Sequence, residues 1–404
     1  LKPLREHQIA GADWLLKNPH GYLADAPRVG KTRTLLSAFQ RSGGKDGLIV
    51  VPAMVRSHWQ HEAALMGIQD TVDIVSYDAV VRGFQPTYFP DALILDEAHF
   101  LKNPSSKRTK MIFGKKGFHK MTLTVWPASG TPIPKNPAEI YPLLAALHPE
   151  ILRSGGWTTL EKFTEFFCTG YYMMIRNRRV YKITGGKNLD ILRGILAPIM
   201  LRRTLEDLGG DVPTLDFQQL ELNNEAVDGK LVAALAQGSD ANAATARRLL
   251  GEFKAPMVAD MIINQFETSN EKIAVFAYHR SVLDILRNRL REKAIAYSYI
   301  DGDTNMRLRD IETESFQSGH TRIFIGQSKA CEVGIRLDAA NTACIVEPSW
   351  TATDNVQLAN RIVDAHRPGR HCVVQMVSLG GTVDDAIVAQ NIRETAMAAE
   401  LFGL

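Results

Sequence analysis

A chain of 404 residues with 45% hydrophobic and 23% charged content has room for two or three cores and the composition of an ordinary globular protein. Its formal charge of +3 excludes a global field as the means of gripping a polyanion, so any such partner must be held by local patches. Four scattered cysteines (Cys168, Cys331, Cys344, Cys372) lack the spacing of a zinc site or disulfide framework, and no membrane span, signal peptide or import tract is seen. The expected address is therefore a reducing cytoplasm.

Leu4-Arg5-Glu6-His7-Gln8 opens an amphipathic helix with Ile9, Ala12, Leu15 and Leu16 at its apolar positions. A short strand, Gly21-Tyr22-Leu23-Ala24, leads into Asp25-Ala26-Pro27-Arg28-Val29-Gly30-Lys31-Thr32. Against the generic phosphate loop G-x-x-x-x-G-K-[ST], only the first glycine is replaced, by Asp25. Gly30 lets the backbone approach phosphates, Lys31 reaches the terminal ones, and Thr32 offers a hydroxyl to a metal. A helix from Arg33 to Phe39 points its N-terminal amides at the same anion. The competing reading is a chance Gly-Lys-Thr at a helix start.

Leu48-Ile49-Val50-Val51-Pro52 is a buried strand stopped by proline, with Trp59 and Glu62 on the helix after it. Asp73-Ile74-Val75-Ser76-Tyr77 predicts another strand. Leu93-Ile94-Leu95-Asp96-Glu97-Ala98-His99 then delivers two carboxylates from an apolar run to a sheet edge, where open α/β sheets bind ligands. Asp96 is expected to hold a magnesium ion, and Glu97 to polarise a water for attack on a phosphate. An acidic helix start is the other reading of the pair, and Gly30-Lys31-Thr32 upstream weighs against it. Thr122-Leu123-Thr124-Val125 predicts a strand running into the turn Ala128-Ser129-Gly130-Thr131-Pro132. Strands alternating with helices at this spacing mean a parallel sheet with helices on both faces.

From Tyr171 to Lys187 the chain is basic and aromatic. Such a stretch either lines a nucleic-acid track or is a solvated hairpin with aromatics under its arginines. Between Glu206 and Ala246 the composition turns to Gly, Asp, Asn and Ala, which places an interlobe linker there. The expected division is residues 1–205, a linker at 206–250, and a second lobe at 251–404. In that lobe Ile273-Ala274-Val275-Phe276, Ile323-Phe324-Ile325, Ala343-Cys344-Ile345-Val346 and a run from Cys372 to Val377 read as buried strands. Asp384-Asp385 opens a closing helix through Met397.

Asp96-Glu97-Ala98-His99 with Leu101-Lys102-Asn103, then Ser129-Gly130-Thr131-Pro132 with Asn136 and Glu139, resembles the Swi/Snf class of DNA-translocating ATPases, within the superfamily-two helicases. The match continues through Asn188-Leu189, the block Ile199-Met200-Leu201-Arg202-Arg203, the run from Lys272 to Arg280, and Ile300-Asp301-Gly302. It closes with Gly334, Trp350, Gln357 and Arg361, in the family's order over nearly the whole chain. The compact layout is similar to the annealing-helicase (HARP-like) branch, and the implied setting is a bacterial or phage-infected cell.

The resemblance implies an α/β fold of two RecA-like lobes, parallel sheets with helices on both faces, flanking an ATP cleft. ATP and Mg2+ are the implied cofactors, with Gln8 on the adenine, Gly30, Lys31, Thr32, Asp96 and Gly334 at the nucleotide, and Thr32 and Asp96 on the metal. Turnover is assigned to Lys31, Glu97 and an arginine finger from the second lobe. The family's Q-x-x-x-R-x-x-R fits Gln357 and Arg361, but Asp364 stands at its second arginine and Arg367 lies three residues late. Nucleic-acid contacts carried over are Ser57, His279, Arg280, Ser328, Lys329 and Trp350, reading backbone phosphates. Each also has a structural reading, His279 as a satisfied strand-end histidine among them. Two other departures are Arg28, where the family usually has glycine, and Cys331-Glu332, where it prefers small glycines. A carboxylate near a phosphate backbone costs binding unless it points away.

The implied function is an ATP-dependent motor on double-stranded or branched DNA that remodels or reanneals DNA or DNA–protein complexes, with no membrane involved. The rival expectations are a catalytically weakened nucleic-acid-binding scaffold of the same fold, and a strand-separating helicase acting on DNA or RNA.

Overall fold

The apolar runs around Ile49 and Ile94 become the two central strands of the first sheet. In the computed structural model, which describes residues 3–175, 178–204, 206–208, 214–222, 240–332, 334–364 and 369–402, the first strands are β1 (Tyr22–Leu23), β2 (Gly47–Val51), β3 (Val72–Ser76), β4 (Ala92–Leu95) and β5 (Val125–Pro127). The order is β3-β2-β4-β5, all parallel. β2 and β4 are buried along their whole length, as strands covered on both faces must be. Leu48, Val50, Leu93 and Leu95 enter one apolar cluster and Ile49, Val51, Ala92 and Ile94 the other, because successive side chains point to opposite faces. A hairpin of β6 (Cys168–Ile175) and β7 (Arg178–Gly186) follows as a separate antiparallel pair. β8 (Met200–Leu201) then returns to pair with β1.

One helix face and two strand boundaries show how local causes shift the structure from the sequence reading. The first helix, α1 (Glu6–Lys17), buries Gln8, Gly11, Ala12 and Leu15. The helical period carries Ile9 and Leu16 to the outer side, 42% and 36% exposed. The strand expected at Thr122 begins instead at Val125. Leu123 is 89% exposed, and Thr122 spends its hydroxyl on the Asp91 and Thr124 carbonyls. β3 stops at Ser76 because the Ser76 hydroxyl accepts from the Ala79 amide and caps the next helix.

The second unit holds β9 (Thr214–Leu222), β10 (Ile273–Ala277), β11 (Tyr297–Ile300), β12 (Ile323–Gln327), β13 (Thr342–Ile345) and β14 (His371–Leu379). They form one parallel sheet of order β11-β12-β10-β13-β14-β9. β9 lies inside the stretch read as linker, in register with β14 from Thr214↔His371 to Leu222↔Leu379. The same stretch contains the start of the helix Asp240–Thr268. Alternate residues of β10 again feed two clusters, Ile273, Val275 and Ala277 to one and Ala274 and Phe276 to the other. Each unit is thus a parallel sheet packed on both faces, and the fold is α/β with two RecA-like lobes. Unit one comprises Leu1–Gly209 with Arg393–Leu404, and unit two Gly210–Ile392. All four cysteines are free and buried. Among the described residues no helix is long and apolar enough to cross a membrane.

Candidate functional site

The loop between β1 and the helix α2 (Lys31–Arg41) is built on left-handed backbone. Gly30, which precedes α2, has φ +105°, and a Cβ there would meet Gln8 Nε2 at 2.4 Å. Only glycine fits both demands. Arg28 adopts φ +71°, a conformation that costs a non-glycine residue about 1–2 kcal/mol. The glycine expected there by resemblance would carry no such cost. Lys31 Nζ donates to the carbonyls of Asp25 (2.9 Å) and Ala26 (3.3 Å), curling the loop around its own ammonium. Burial pushes the Lys31 pKa down, against the opposing pull of Glu97, Asp96 and Asp25. Gln8 is seated on the loop: its Oε1 accepts from the Arg5 amide at 3.0 Å and its Nε2 donates to the Gly30 carbonyl at 3.3 Å.

The sequence reading passed over what fixes this loop. Asp25, the residue in place of the first glycine, is fully buried. Arg203 holds it with both ends of its fork, Nε to Oδ1 at 3.0 Å and Nη2 to Oδ2 at 2.5 Å. Arg203 also donates to the His7 carbonyl, tying α1 to the loop. Arg202 beside it donates to the Ala24 carbonyl at 2.8 Å. The β1–β8 pairing puts Tyr22 against Met200 and Leu23 against Leu201, and so delivers both arginines to the loop. The signals were on the sequence, an acid in a glycine position and an Arg-Arg pair in a family block, but nothing local joined them.

Asp96 and Glu97 follow β4 directly. Asp96 Oδ2 accepts from Trp59 Nε1 at 2.8 Å and Oδ1 from the Glu97 amide at 3.0 Å, while the Asp96 carbonyl accepts from Tyr77 at 2.8 Å. Burial and the adjacent Glu97 push the Asp96 carboxyl up to about 6. Glu97 takes a left-handed backbone, φ +49°, and turns its carboxylate onto Ser129 Oγ (3.2 Å) and His99 Nδ1 (3.1 Å). Burial acts to raise Glu97 as well, but the His99 contact, Lys31 and Ser129 outweigh it and hold the carboxyl down to about 2. Ser129 Oγ lies 2.8 Å from His99 Nδ1. A Cβ on Gly130 would stand 3.3 Å from Lys31 Nζ, so the Ser-Gly-Thr turn closes over the lysine.

The first unit therefore brings together Gln8, Gly30, Lys31, Asp96 and Glu97, with Thr32 on the first turn of α2. Two half-buried carboxylates facing one lysine leave room for a further positive charge. Asp96 and Thr32 offer the hard oxygen donors that magnesium accepts, with substrate phosphates and water completing its shell. Among the described residues no group of three or more His, Cys, Asp and Glu side chains could hold a metal, and an ion bound mainly through phosphates needs none. Ser57, on the helix α3 (Arg56–Leu65), is exposed.

In the second unit, Glu347 is the organising side chain. It is 2% exposed and accepts from the amides of Tyr278 (2.8 Å) and His279 (2.9 Å) and pairs with His279 Nδ1 at 2.5 Å. The His279 ring is thereby fixed at the start of the helix Arg280–Glu292. Arg280 is half exposed and pairs with Asp303 at 2.6 Å. Lys329 lies between Glu332 (2.8 Å) and Asp354 (3.1 Å), so the Glu332 carboxylate is turned onto that lysine. Ser328 is buried, Trp350 half-buried, and Gly334 exposed with φ +82°. Arg361 Nε donates to the Gln357 carbonyl at 3.0 Å and Nη1 to the Ile335 carbonyl at 3.4 Å. Arg367 lies outside the described residues.

Two family descriptions match in succession: a SNF2-related domain over residues 76–249 and a helicase conserved C-terminal domain over residues 254–366. Among curated proteins, the SWI/SNF-related matrix-associated actin-dependent regulator of chromatin subfamily A-like protein 1 of Xenopus laevis is 29% identical over 313 residues, 72% of this chain and 31% of that protein. The Caenorhabditis elegans homologue of that protein is 25% identical over 406 residues, 90% of this chain and 57% of its own length. The chain spans about a third of the length of the Xenopus relatives it matches. Among solved structures, the Sulfolobus solfataricus SWI2/SNF2 ATPase core in complex with dsDNA aligns over 99% of this chain and 94% of that one, at 18% identity and a TM-score of 0.43.

Proposed function

Because this chain belongs to the Swi/Snf-type superfamily-two ATPases, an SNF2-related domain being followed in it by a helicase conserved C-terminal domain, we propose that it hydrolyses ATP with magnesium and uses the reaction to move along double-stranded or branched DNA. The observation that carries this reading is the meeting of Lys31, the Asp96–Glu97 pair and Ser129 at the sheet edge of the first unit. Lys31 exchanges its two loop carbonyls for the terminal phosphates. Thr32 and Asp96 hold the metal, which when bound neutralises phosphate charge. Glu97, kept ionised by His99 and Ser129, orients a water and accepts its proton. Gln8 reads the base, and Arg361 is the second unit's contribution to turnover. Ser57, His279, Arg280, Ser328, Lys329 and Trp350 contact the DNA backbone, and Gly334 the nucleotide. The output in this reading is the remodelling or reannealing of DNA, as in compact annealing helicases.

Phosphate release measured with and without duplex DNA tests the reading. The expected result is stimulation of the wild type by duplex and a fall of about 100-fold or more in Glu97→Gln, the range for losing a general base. A wild type no faster than Glu97→Gln assigns the chain to the scaffold reading, whose motive is the altered phosphate loop, the displaced arginine finger and Glu332. Stronger stimulation by single strands or RNA than by duplex assigns it to strand separation.

A further inference from the structure

Among the described residues the β6–β7 hairpin belongs to neither sheet of the two units and pairs with no other strand. A two-stranded ribbon is marginally stable on its own, and the cheapest way to steady one is a set of opposite-charge pairs across the strands. This hairpin has none to use. The twenty residues from Cys168 to Lys187 contain five basic residues (Arg176, Arg178, Arg179, Lys182, Lys187) and no acidic one, whereas a face built only for solubility mixes both signs. Among the described residues, Arg179, Lys182 and Lys187 enter no ion pair, and all three are exposed.

The aromatic residues are placed as unusually as the charges. Directly opposed residues share a face, so Tyr172 and Tyr181 lie on one side of the ribbon and Tyr171 and Lys182 on the other. On the first side the Tyr172 and Tyr181 rings are 4.9 Å apart, and the Arg179 guanidinium stacks over Tyr172 at 3.8 Å. That stack steadies the ribbon and fixes the Arg179 plane. It does not bury Tyr172, which is 47% exposed, and on the other face Tyr171 is 52% exposed. Flat π-faces interleaved with cations, in water and with no carboxylate near them in sequence, suit bases that are free to stack and phosphates that need neutralising. Duplex DNA presents the phosphates but keeps its base faces stacked; only an unpaired strand presents both.

We infer that this hairpin binds single-stranded nucleic acid, with Tyr171 and Tyr172 against bases and Arg179, Lys182 and Lys187 on the backbone. Resting on the duplex-motor reading, the hairpin is the point at which the protein distinguishes a branched or tailed duplex from a continuous one. No side chain of the nucleotide site takes part.

Fluorescence anisotropy on a blunt duplex and on the same duplex with a single-stranded tail tests this, using the whole chain. The variants are the triple charge removal Arg179→Gln/Lys182→Gln/Lys187→Gln and the ring removal Tyr171→Ala. The wild type is expected to bind the tailed duplex more tightly than the blunt one. The triple variant should lose about tenfold or more on the tailed substrate and lower its log–log salt slope by about 2, and Tyr171→Ala about fivefold or more, with blunt-duplex affinity and basal ATP hydrolysis unchanged. Arg179→Lys, which keeps the charge, should retain tail binding more fully than Arg179→Gln, and circular dichroism confirms that each variant is folded. No gain from the tail in the wild type, or equal affinities in wild type and variants, overturns the proposal, the latter leaving the hairpin to a protein surface. Neither outcome touches the motor reading, which stands or falls on duplex-stimulated phosphate release and Glu97→Gln.

Discussion

Arg203 does for the phosphate loop what a glycine at position 25 would otherwise have left to the backbone. With Asp25 buried and bound at both oxygens, removal of the arginine strands a charge in the interior, and Arg203→Ala should cost about 3–5 kcal/mol. Chemical denaturation reads that loss. Asp25→Ala/Arg203→Ala together should cost less than the two single changes added, because each single change leaves a partner without its mate. Arg28 offers the opposite experiment. Its φ of +71° is uncomfortable for any side chain, so Arg28→Gly should raise stability by about 0.5 kcal/mol, the strain relieved less the entropy that glycine adds to the unfolded chain. A fall in the denaturation midpoint would mean that the arginine side chain contributes more than its backbone costs.

The helix Val383–Phe402 is anchored by a pair the sequence reading did not foresee. Lys254 and Asp384 are 1% and 3% exposed and meet at 2.8 Å, with Asp384 also accepting from the Leu379 amide at 3.0 Å. Asp384→Ala should therefore cost about 3–5 kcal/mol, read as a lowered denaturation midpoint, while Lys254→Met/Asp384→Leu should recover much of the loss. β2 and β4 were legible as elements because a strand covered on both faces is a continuous apolar run. β9 was not, since Gln218-Gln219 puts Leu215 and Phe217 out of step with Leu220 and Leu222, and its neighbours are Gly- and Asn-rich. Its place is set by β14, more than a hundred residues away, and no local period carries that information. The site divides in the same way. Gly30-Lys31-Thr32 and Asp96-Glu97 are short motifs whose spacing states their chemistry. The partners that orient them, Arg203 for Asp25, Trp59 for Asp96 and Glu347 for His279, are fixed only by the sheet topology.

The first unit is assembled from two separated stretches of chain. Its main body ends at Gly209, and Arg393–Leu404 joins it after the whole of the second unit has intervened. Leu401 is 1% exposed in the same apolar cluster as Leu192 and Leu196. Arg193 Nε donates to the Leu401 carbonyl at 3.1 Å, and Arg202, neighbour of the loop-holding Arg203, stacks on Phe402 at 4.5 Å. Leu401→Ala should therefore lower the stability of the first unit by about 2–5 kcal/mol, seen as a shifted thermal or denaturant transition. A change confined to the second unit's transition would refute that assignment. During synthesis the separation becomes a delay. Leu401 emerges 208 residues after its partner Arg193, roughly 10–40 s at ordinary elongation rates, and throughout that interval the nascent nucleotide-binding half presents an uncovered apolar seam that a chaperone can occupy before the closing helix arrives.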